Sequence, residues 1–311
     1  MQKECSRILQ EVEKVIKGKE QEKKLILAAI LAKGHILLDD IPGVGKTTLT
    51  MAFSRAMQLE ANRMQFTSDV LPSDVLGFQM IYPDGTKEYQ KGIILCNLFM
   101  ADEINRTASR TQAALVEVME EKQVTVDGTS YEVQKPFLVI ATQNPAGSAG
   151  TQLLPQAQMD RFLVRLSIGQ PSLDMLVEIL RDQQSENPLE RMKQVLTREE
   201  VLDMQKAVRS VYTSEEILRY LGRLTEASGR HEMLSLGISP RGVIALHHMA
   251  KACAFVRERD YVIPEDVREV FADVCAHRVL VSAKGKIAEK SDRQILQEIL
   301  ESVQAEETSA R

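Results

Sequence analysis

A chain that carries His35-Ile-Leu-Leu-Asp-Asp-Ile-Pro-Gly-Val-Gly-Lys-Thr-Thr-Leu49 has few folds open to it. The stretch reads as a buried strand, a tight turn containing glycines, and the first turn of a helix. Gly43-Val-Gly45-Lys46-Thr47 matches the end of a P-loop, in which backbone amides and the positive end of the following helix hold phosphates. In that arrangement Lys46 reaches the outer phosphates and the Thr47 hydroxyl helps hold Mg²⁺. One position departs from the pattern: Asp40 stands where the first glycine of G-x-x-x-x-G-K-[ST] belongs. A carboxylate there is expected to lie near phosphate and to stiffen the start of the turn. An ordinary strand-to-helix turn accounts for the glycines but not for Lys46-Thr47.

The remaining composition narrows the classes. A chain of 311 residues, 44% hydrophobic and 27% charged, has the length of two ordinary domains and ample core. Its net charge of −5 supplies no global attraction for nucleic acid or an anionic membrane. Cys5, Cys96, Cys253 and Cys275 have no metal-ligand or C-x-x-C spacing and read as reduced, mostly buried thiols. His247 and His248 are adjacent and point apart on a helix, which argues against a shared metal. No signal peptide opens the sequence, and the apolar run Leu25–Ala32 is too short to cross a bilayer, so a cytoplasmic protein is expected.

Along the chain, charged helical sequence leads past Gly18 into an apolar helix ending near Ala32, and His35–Asp39 is the first strand. A helix over about 46–57 and a strand at Asn62–Phe66 follow. The stretch 67–91 is irregular, with a hairpin turn at Pro83-Asp-Gly-Thr86. Leu98-Phe-Met-Ala101 is a buried strand that ends in Asp102-Glu103, two acids at the edge where open α/β sheets bind ligands. Asp102 can hold Mg²⁺ through water while Glu103 orients the attacking water. A hairpin around Asp127-Gly128 precedes Phe137-Leu-Val-Ile-Ala-Thr142, a strand that ends in Gln143-Asn144-Pro145. A neutral amide at Asn144 suits contact with both a terminal phosphate and the water, although Asn before Pro is also a common turn. Phe162–Leu166 is the last of five buried strands that alternate with helices, which predicts a mostly parallel, doubly wound sheet.

From Ser172 the pattern is helical, with capping boxes at Thr197-x-x-Glu200 and Thr213-x-x-Glu216 and a helix start at Ser239-Pro240. Arg241 falls in that helix's first turn, where a cation opposes the dipole and is either incidental or aimed at an anion.

Together, Val44-Gly-Lys-Thr47, Ala101-Asp-Glu-Ile-Asn-Arg106, Gln123-Val-Thr-Val-Asp-Gly128, Ala141-Thr-Gln-Asn-Pro145, Leu154-Pro-x-Ala-Gln-x-Asp-Arg-Phe162 and Ser239-Pro-Arg241 resemble the MoxR branch of AAA+ ATPases over about residues 10–280. The resemblance implies an α/β fold: a P-loop core with a five-stranded, mostly parallel sheet between helices (1–171), then a small all-α lid (172–281) and a C-terminal helix with a frayed tail (282–311). The core would carry an inserted hairpin at about 67–91 and a pre-sensor hairpin at about 123–134. Gly18, Pro42, Gly43, Val44, Gly45, Lys46, Thr47 and Thr48 would bind ATP, and Thr47 and Asp102 would hold Mg²⁺. Glu103 would act on the water, and Asn144 would be sensor 1. Arg241 would be sensor 2 from the lid of the same subunit, and Arg161 the arginine finger of a neighbour, with Arg106 and Arg110 as other candidates for that role. The branch implies a homo-hexamer that remodels or matures a client, usually with a von Willebrand factor A domain partner.

Two rivals remain at this point. One is a nucleic-acid motor, which the hairpins disfavour: the first carries Asp84, Glu88 and Lys87 and the second Asp127 and Glu132, and neither is a basic, aromatic stripe. The other is a non-hydrolysing nucleotide switch, against which Glu103 and Asn144 argue. No nucleic-acid partner and no membrane insertion are expected.

Overall fold

The structure, a computed structural model, describes residues 2–41, 43–144, 154–182 and 188–305. Pro42 and Pro145 fall outside these residues. The first part of the chain runs α1 (Gln2–Glu13), α2 (Glu20–Leu31), β1 (His35–Asp39), α3 (Lys46–Ala56), β2 (Ala61–Gln65), α4 (Pro72–Leu76), β3 (Gly77–Ile81), β4 (Lys87–Lys91), β5 (Leu98–Asp102) and α5 (Ser109–Glu121). Next come β6 (Gln123–Val126), β7 (Thr129–Glu132), β8 (Leu138–Gln143), α6 (Gln156–Met159), β9 (Phe162–Leu166) and α7 (Leu173–Asp182). The helical part is α8 (Arg198–Arg209), α9 (Glu215–Arg230), β10 (Leu234–Leu236), α10 (Pro240–Val256), α11 (Pro264–Cys275), β11 (Leu280–Val281), α12 (Ala283–Ile287) and α13 (Asp292–Ser302).

Five parallel strands form the central sheet in the order β2-β5-β8-β1-β9. The order changes direction around β1, and the carboxyl ends of β1, β5 and β8 lie side by side. The three inner strands are buried along almost their whole length, as their unbroken apolar runs require. β2 differs from the predicted buried strand. It is an edge strand with exposed and half-buried positions, because it pairs with β5 alone. The opposite edge, β9, is covered by α11 and stays buried.

Two hydrophobic clusters flank the sheet. One face packs on α4, α5 and the β6–β7 hairpin through Val75, Leu115, Val118 and Val124. The other packs on α1–α3 and continues without a break into α8–α11 and α13. The helical part therefore shares its core with the N-terminal helices, and Gln205 of α8 donates to the Ile30 carbonyl of α2 at 2.8 Å. Ile295, Leu296 and Ile299 of α13 are buried against this same core, although the tail's sparse apolar pattern predicts only a weakly amphipathic helix.

Local chemistry sets the element ends. Asp127 and Gly128 both take positive φ, the requirement of a two-residue hairpin turn. The Thr197 box forms as predicted, with Thr197 Oγ1 accepting from Glu200 N at 3.2 Å and Glu200 Oε2 from Thr197 N at 2.7 Å. The box expected at Thr213-x-x-Glu216 does not form. Ser214 caps α9, because the Thr213 hydroxyl is occupied by His247 Nε2 at 2.9 Å.

The buried histidines give a pH prediction. His35 Nδ1 accepts from Val139 N at 2.9 Å, so Nε2 carries the proton and donates to the Met119 carbonyl at 3.1 Å. Burial holds its pKa down at about 4, and burial likewise pushes His277 well below the ordinary range. Such groups bind fewer protons native than unfolded. Their stabilising effect is complete above pH 6.5 and drains away as pH falls towards 4, by about 1.4 kcal/mol per pH unit for His35. Urea midpoints should fall steadily from pH 7 to 5, and His35→Gln should flatten the slope. A midpoint that does not move with pH contradicts this.

Candidate functional site

The P-loop turn is built by its glycines. Gly43 and Gly45 have φ of 89° and 87°, a left-handed backbone that a side chain would strain. α3 starts at once behind Gly45, and no side chain caps it. Its first turn holds Lys46 and no acid. Uncapped amides beside a lysine suit an external anion and nothing in the chain itself. Lys46 is buried, with Nζ donating to the Asp40 carbonyl at 2.6 Å and to the Ile41 carbonyl at 3.3 Å. Burial lowers its pKa, and the Asp40 charge partly offsets this.

Asp40 does not turn its carboxylate to the phosphate side. Oδ2 accepts from Ile168 N at 2.6 Å, and Oδ1 from Ser167 Oγ at 2.7 Å and Gly169 N at 3.0 Å. It ties the end of β1 to the segment leaving β9. It also lacks a positive φ, so the glycine of the usual motif is not needed there. Asp40→Ala strands the buried amide of Ile168 and should cost about 2–4 kcal/mol of stability at unchanged nucleotide affinity. Chemical denaturation and nucleotide titration check the two halves separately.

The carboxyl ends of β5 and β8 supply the remaining groups. Thr142 joins them: its hydroxyl donates to Asp102 Oδ1 at 2.6 Å and accepts from Glu103 N at 2.8 Å. Glu103 is held at φ 57°, a position costly for a residue with a Cβ and maintained by these bonds. Asn144 Nδ2 donates to Glu103 Oε1 at 3.0 Å, and Arg106 Nη1 to Glu103 Oε2 at 2.7 Å. The Arg106 hydrogen bond holds the Glu103 carboxyl below the usual range, with Asn144 and Gln65 adding to the effect. Asp102 also pairs with Arg63 Nη2 at 2.6 Å. Asn105 fixes the Asn144 backbone from both sides, at 3.2 and 3.3 Å.

Gly43, Gly45, Lys46, Thr47, Thr48, Arg63, Gln65, Asp102, Glu103 and Asn144 line one cavity of about 400 Å³. A second, of about 590 Å³, shares Gly43, Gly45 and Thr48 and is walled by Val15, Ile16, Lys19, Ile168 and Leu176. Val44 lies on this second wall, and Gly18 sits between two of its lining residues with φ 62°. A phosphate chain fits the first space and an apolar ring the second. Among the described residues no three His, Cys, Asp or Glu side chains gather to hold a metal. The donors present, the Thr47 hydroxyl and the Asp102 carboxylate, suit Mg²⁺, which keeps waters and phosphate oxygens as its other ligands.

The two arginines lie elsewhere. Arg161 Nη1 pairs with Glu120 Oε1 at the end of α5. Arg241 does not reach the cavity of its own subunit, as a lid-borne sensor was expected to. It lies beside Arg161, 3.4 Å from Glu120 Oε1 and 3.6 Å from Asp160 Oδ2. Arg106 is committed to Glu103 within the site, and Arg110 is exposed on the first turn of α5.

Residues 35–164 match the AAA family, "ATPase family associated with various cellular activities", and residues 226–299 match the AAA lid domain. Chaperone MoxR1 of Mycobacterium tuberculosis is 35% identical over 98% of this chain and 83% of its own length. The chain belongs to the MoxR family of AAA+ ATPases. An uncharacterised protein of Bacillus subtilis, YeaC, is 41% identical over 95% of this chain and 92% of its own. The crystal structure of a candidate ATPase from Cytophaga hutchinsonii superposes with a TM-score of 0.91 at 34% identity, covering 98% of this chain and 96% of the other. The lid match of this MoxR-family chain extends to residue 299, past the expected boundary at 281, in keeping with the burial of α13.

Sequence reasoning missed Thr142, Arg63, Gln65, Asn105 and Glu120. Thr142 had a usable signal, since it ends a buried strand as Asp102 does. Arg63 and Gln65 had none, because their roles arise from the pairing of β2 with β5, which sets Gln65 opposite Asp102.

Proposed function

We propose that this chain hydrolyses ATP with Mg²⁺ in a head-to-tail ring of identical subunits, and that turnover drives remodelling or maturation of a client protein. A von Willebrand factor A domain protein is the partner class we expect, and six subunits the ring size. The observation that carries the reading is a division of labour. Lys46, Thr47, Asp102, Glu103 and Asn144 converge on one cavity, while Arg161 and Arg241 stand together away from it.

In the proposed reaction Thr47 and Asp102 would hold Mg²⁺, which when bound would supply positive charge to the phosphates. Lys46 swings from the Asp40 carbonyl onto the outer phosphates. Glu103, ionised and steadied by Asn144 and Arg106, accepts a hydrogen bond from water and aims it in line. Asn144 senses the terminal phosphate through the same amide that holds Glu103. Phosphoryl transfer needs placement and charge neutralisation above all. The charge on the leaving side is completed by Arg161, and with it Arg241, of the next subunit. We assign both to the neighbour's site because they share the Glu120 carboxylate, with Arg241 also reaching Asp160.

A protein client suits the exposed hairpin better than nucleic acid does. Phe78, Met80, Ile81 and Tyr82 of the insert are exposed apolar groups beside Asp84 and Glu88. The two hairpins also touch, because Tyr89 and Tyr131 stack with centroids 3.9 Å apart. Steady-state phosphate release from Mg²⁺-ATP tests the reading. Turnover that disappears in excess EDTA supports it, and a chain that releases no phosphate at any concentration contradicts it.

A further inference from the structure

Besides the insert hairpin, two apolar faces stand exposed among the described residues, one next to the larger nucleotide cavity and one next to the arginine cluster. The first is on α7. Leu173, Val177 and Leu180 follow i, i+4, i+7 spacing and are 76, 39 and 65% exposed, and no residue of this helix is buried. The flank beside this face, through Leu176 and Ile179, walls the larger nucleotide cavity. The second is the small antiparallel sheet of β10 and β11. Leu236 and Leu280 are paired in register there, so their side chains share one face, and both are more than two-fifths exposed. This sheet adjoins the arginine cluster. Leu280 follows two residues after Arg278, which grips Asp160 at 2.9 Å, and Leu236 precedes Arg241 by five.

We propose that these faces bind each other between two copies of the chain: the Leu236–Leu280 face of one subunit docks on the Leu173–Val177–Leu180 face of α7 in the next. This rests on the seam reading given above, in which Arg161 and Arg241 enter the neighbour's site. The sheet that adjoins those arginines then meets the helix that adjoins that cavity. Charge agrees with the pairing. α7 exposes Asp174 and Glu178 beside its leucines, and α12, which follows β11, exposes Lys286. The two patches differ, so the contact is heterologous, and repeated around an axis it closes a ring. It also couples assembly to the nucleotide, because the docked helix is itself a wall of the cavity.

Cross-linking tests this without disturbing the fold, since both target positions are exposed and all four native cysteines are buried. Leu173→Cys and Leu280→Cys proteins are treated with a short bismaleimide in Mg²⁺-ATP, each alone and mixed. Covalent dimers are expected in the mixture and in neither protein alone, and the double variant should give a ladder of higher species. As a second measure, Leu280→Asp should weaken self-association roughly tenfold or more while the isolated chain keeps its nucleotide affinity. Linkage within one single-cysteine protein overturns the pairing in favour of a two-fold contact. Absence of linkage in the mixture, while light scattering shows assembly and exchange of Arg161→Ala with Lys46→Ala subunits restores turnover, overturns the docking and leaves the seam standing. A chain that stays monomeric and gives no such restoration overturns both.

Discussion

Glu103→Gln should keep bound ATP and lose turnover by about 10²–10⁴-fold, the range for removal of a positioned acid–base group. The substitution preserves size and one acceptor oxygen, so the hydrogen bond from Asn144 Nδ2 survives. What disappears is the charge. Arg106, which now balances the Glu103 carboxylate at 2.7 Å, would face a neutral amide, and water would lose its anionic acceptor. Asp102 and Thr47 remain, so the sites for the cation and phosphates are intact. Nucleotide affinity within a few-fold of wild type, with phosphate release near background, is the expected pair of results. Equal turnover in the two proteins would remove Glu103 from its role.

Arg161→Ala should be at least as damaging, with turnover lower by about 10³–10⁵-fold and ATP affinity barely changed. In the isolated subunit this guanidinium touches Glu120 and lines neither cavity, so its loss leaves the subunit's own site untouched. Arg241→Ala should fall in the same direction by a smaller factor, since its contacts with Glu120 and Asp160 are longer. Isothermal titration with a non-hydrolysable ATP analogue separates affinity from rate. A large loss of affinity in Arg161→Ala would mean that the residue serves its own site.

Much of this was readable in the chain, and for identifiable reasons. β1, β5 and β8 are buried on both faces, so each is an unbroken apolar run, and the residue that ends each run marks the sheet edge that binds ligand. Asp102, Glu103 and Asn144 were legible in that way, and Lys46-Thr47 through the turn before them. Asp127-Gly128 announced its hairpin because so few dipeptides accept two positive φ values. Features that depend on pairing between distant strands were not legible. Nothing local in Asp40 says that its carboxylate is bound by amides of residues 168 and 169, 128 and 129 positions away. Arg241 likewise carried a signal for an anion and none for whose anion. Its helix start fixes where it sits on α10, while the packing of α10 against α2 and α11 decides which way that end of the helix faces. The burial of α13 was hidden for the same reason, because the four apolar positions Ile295, Leu296, Ile299 and Leu300 look weak until the surface they meet is known.

Subunit mixing tests the central claim most directly. Arg161→Ala protein keeps its own cavity and lacks the arginine for its neighbour. Lys46→Ala protein lacks a working cavity and keeps the arginine. Each alone should be nearly inert, and an equimolar mixture should recover about a quarter of the wild-type rate, the share of head-to-tail contacts that pair an intact cavity with an intact arginine. A mixture as inactive as its two components, at every ratio and under conditions where the subunits assemble, would contradict a reaction centre shared between neighbours.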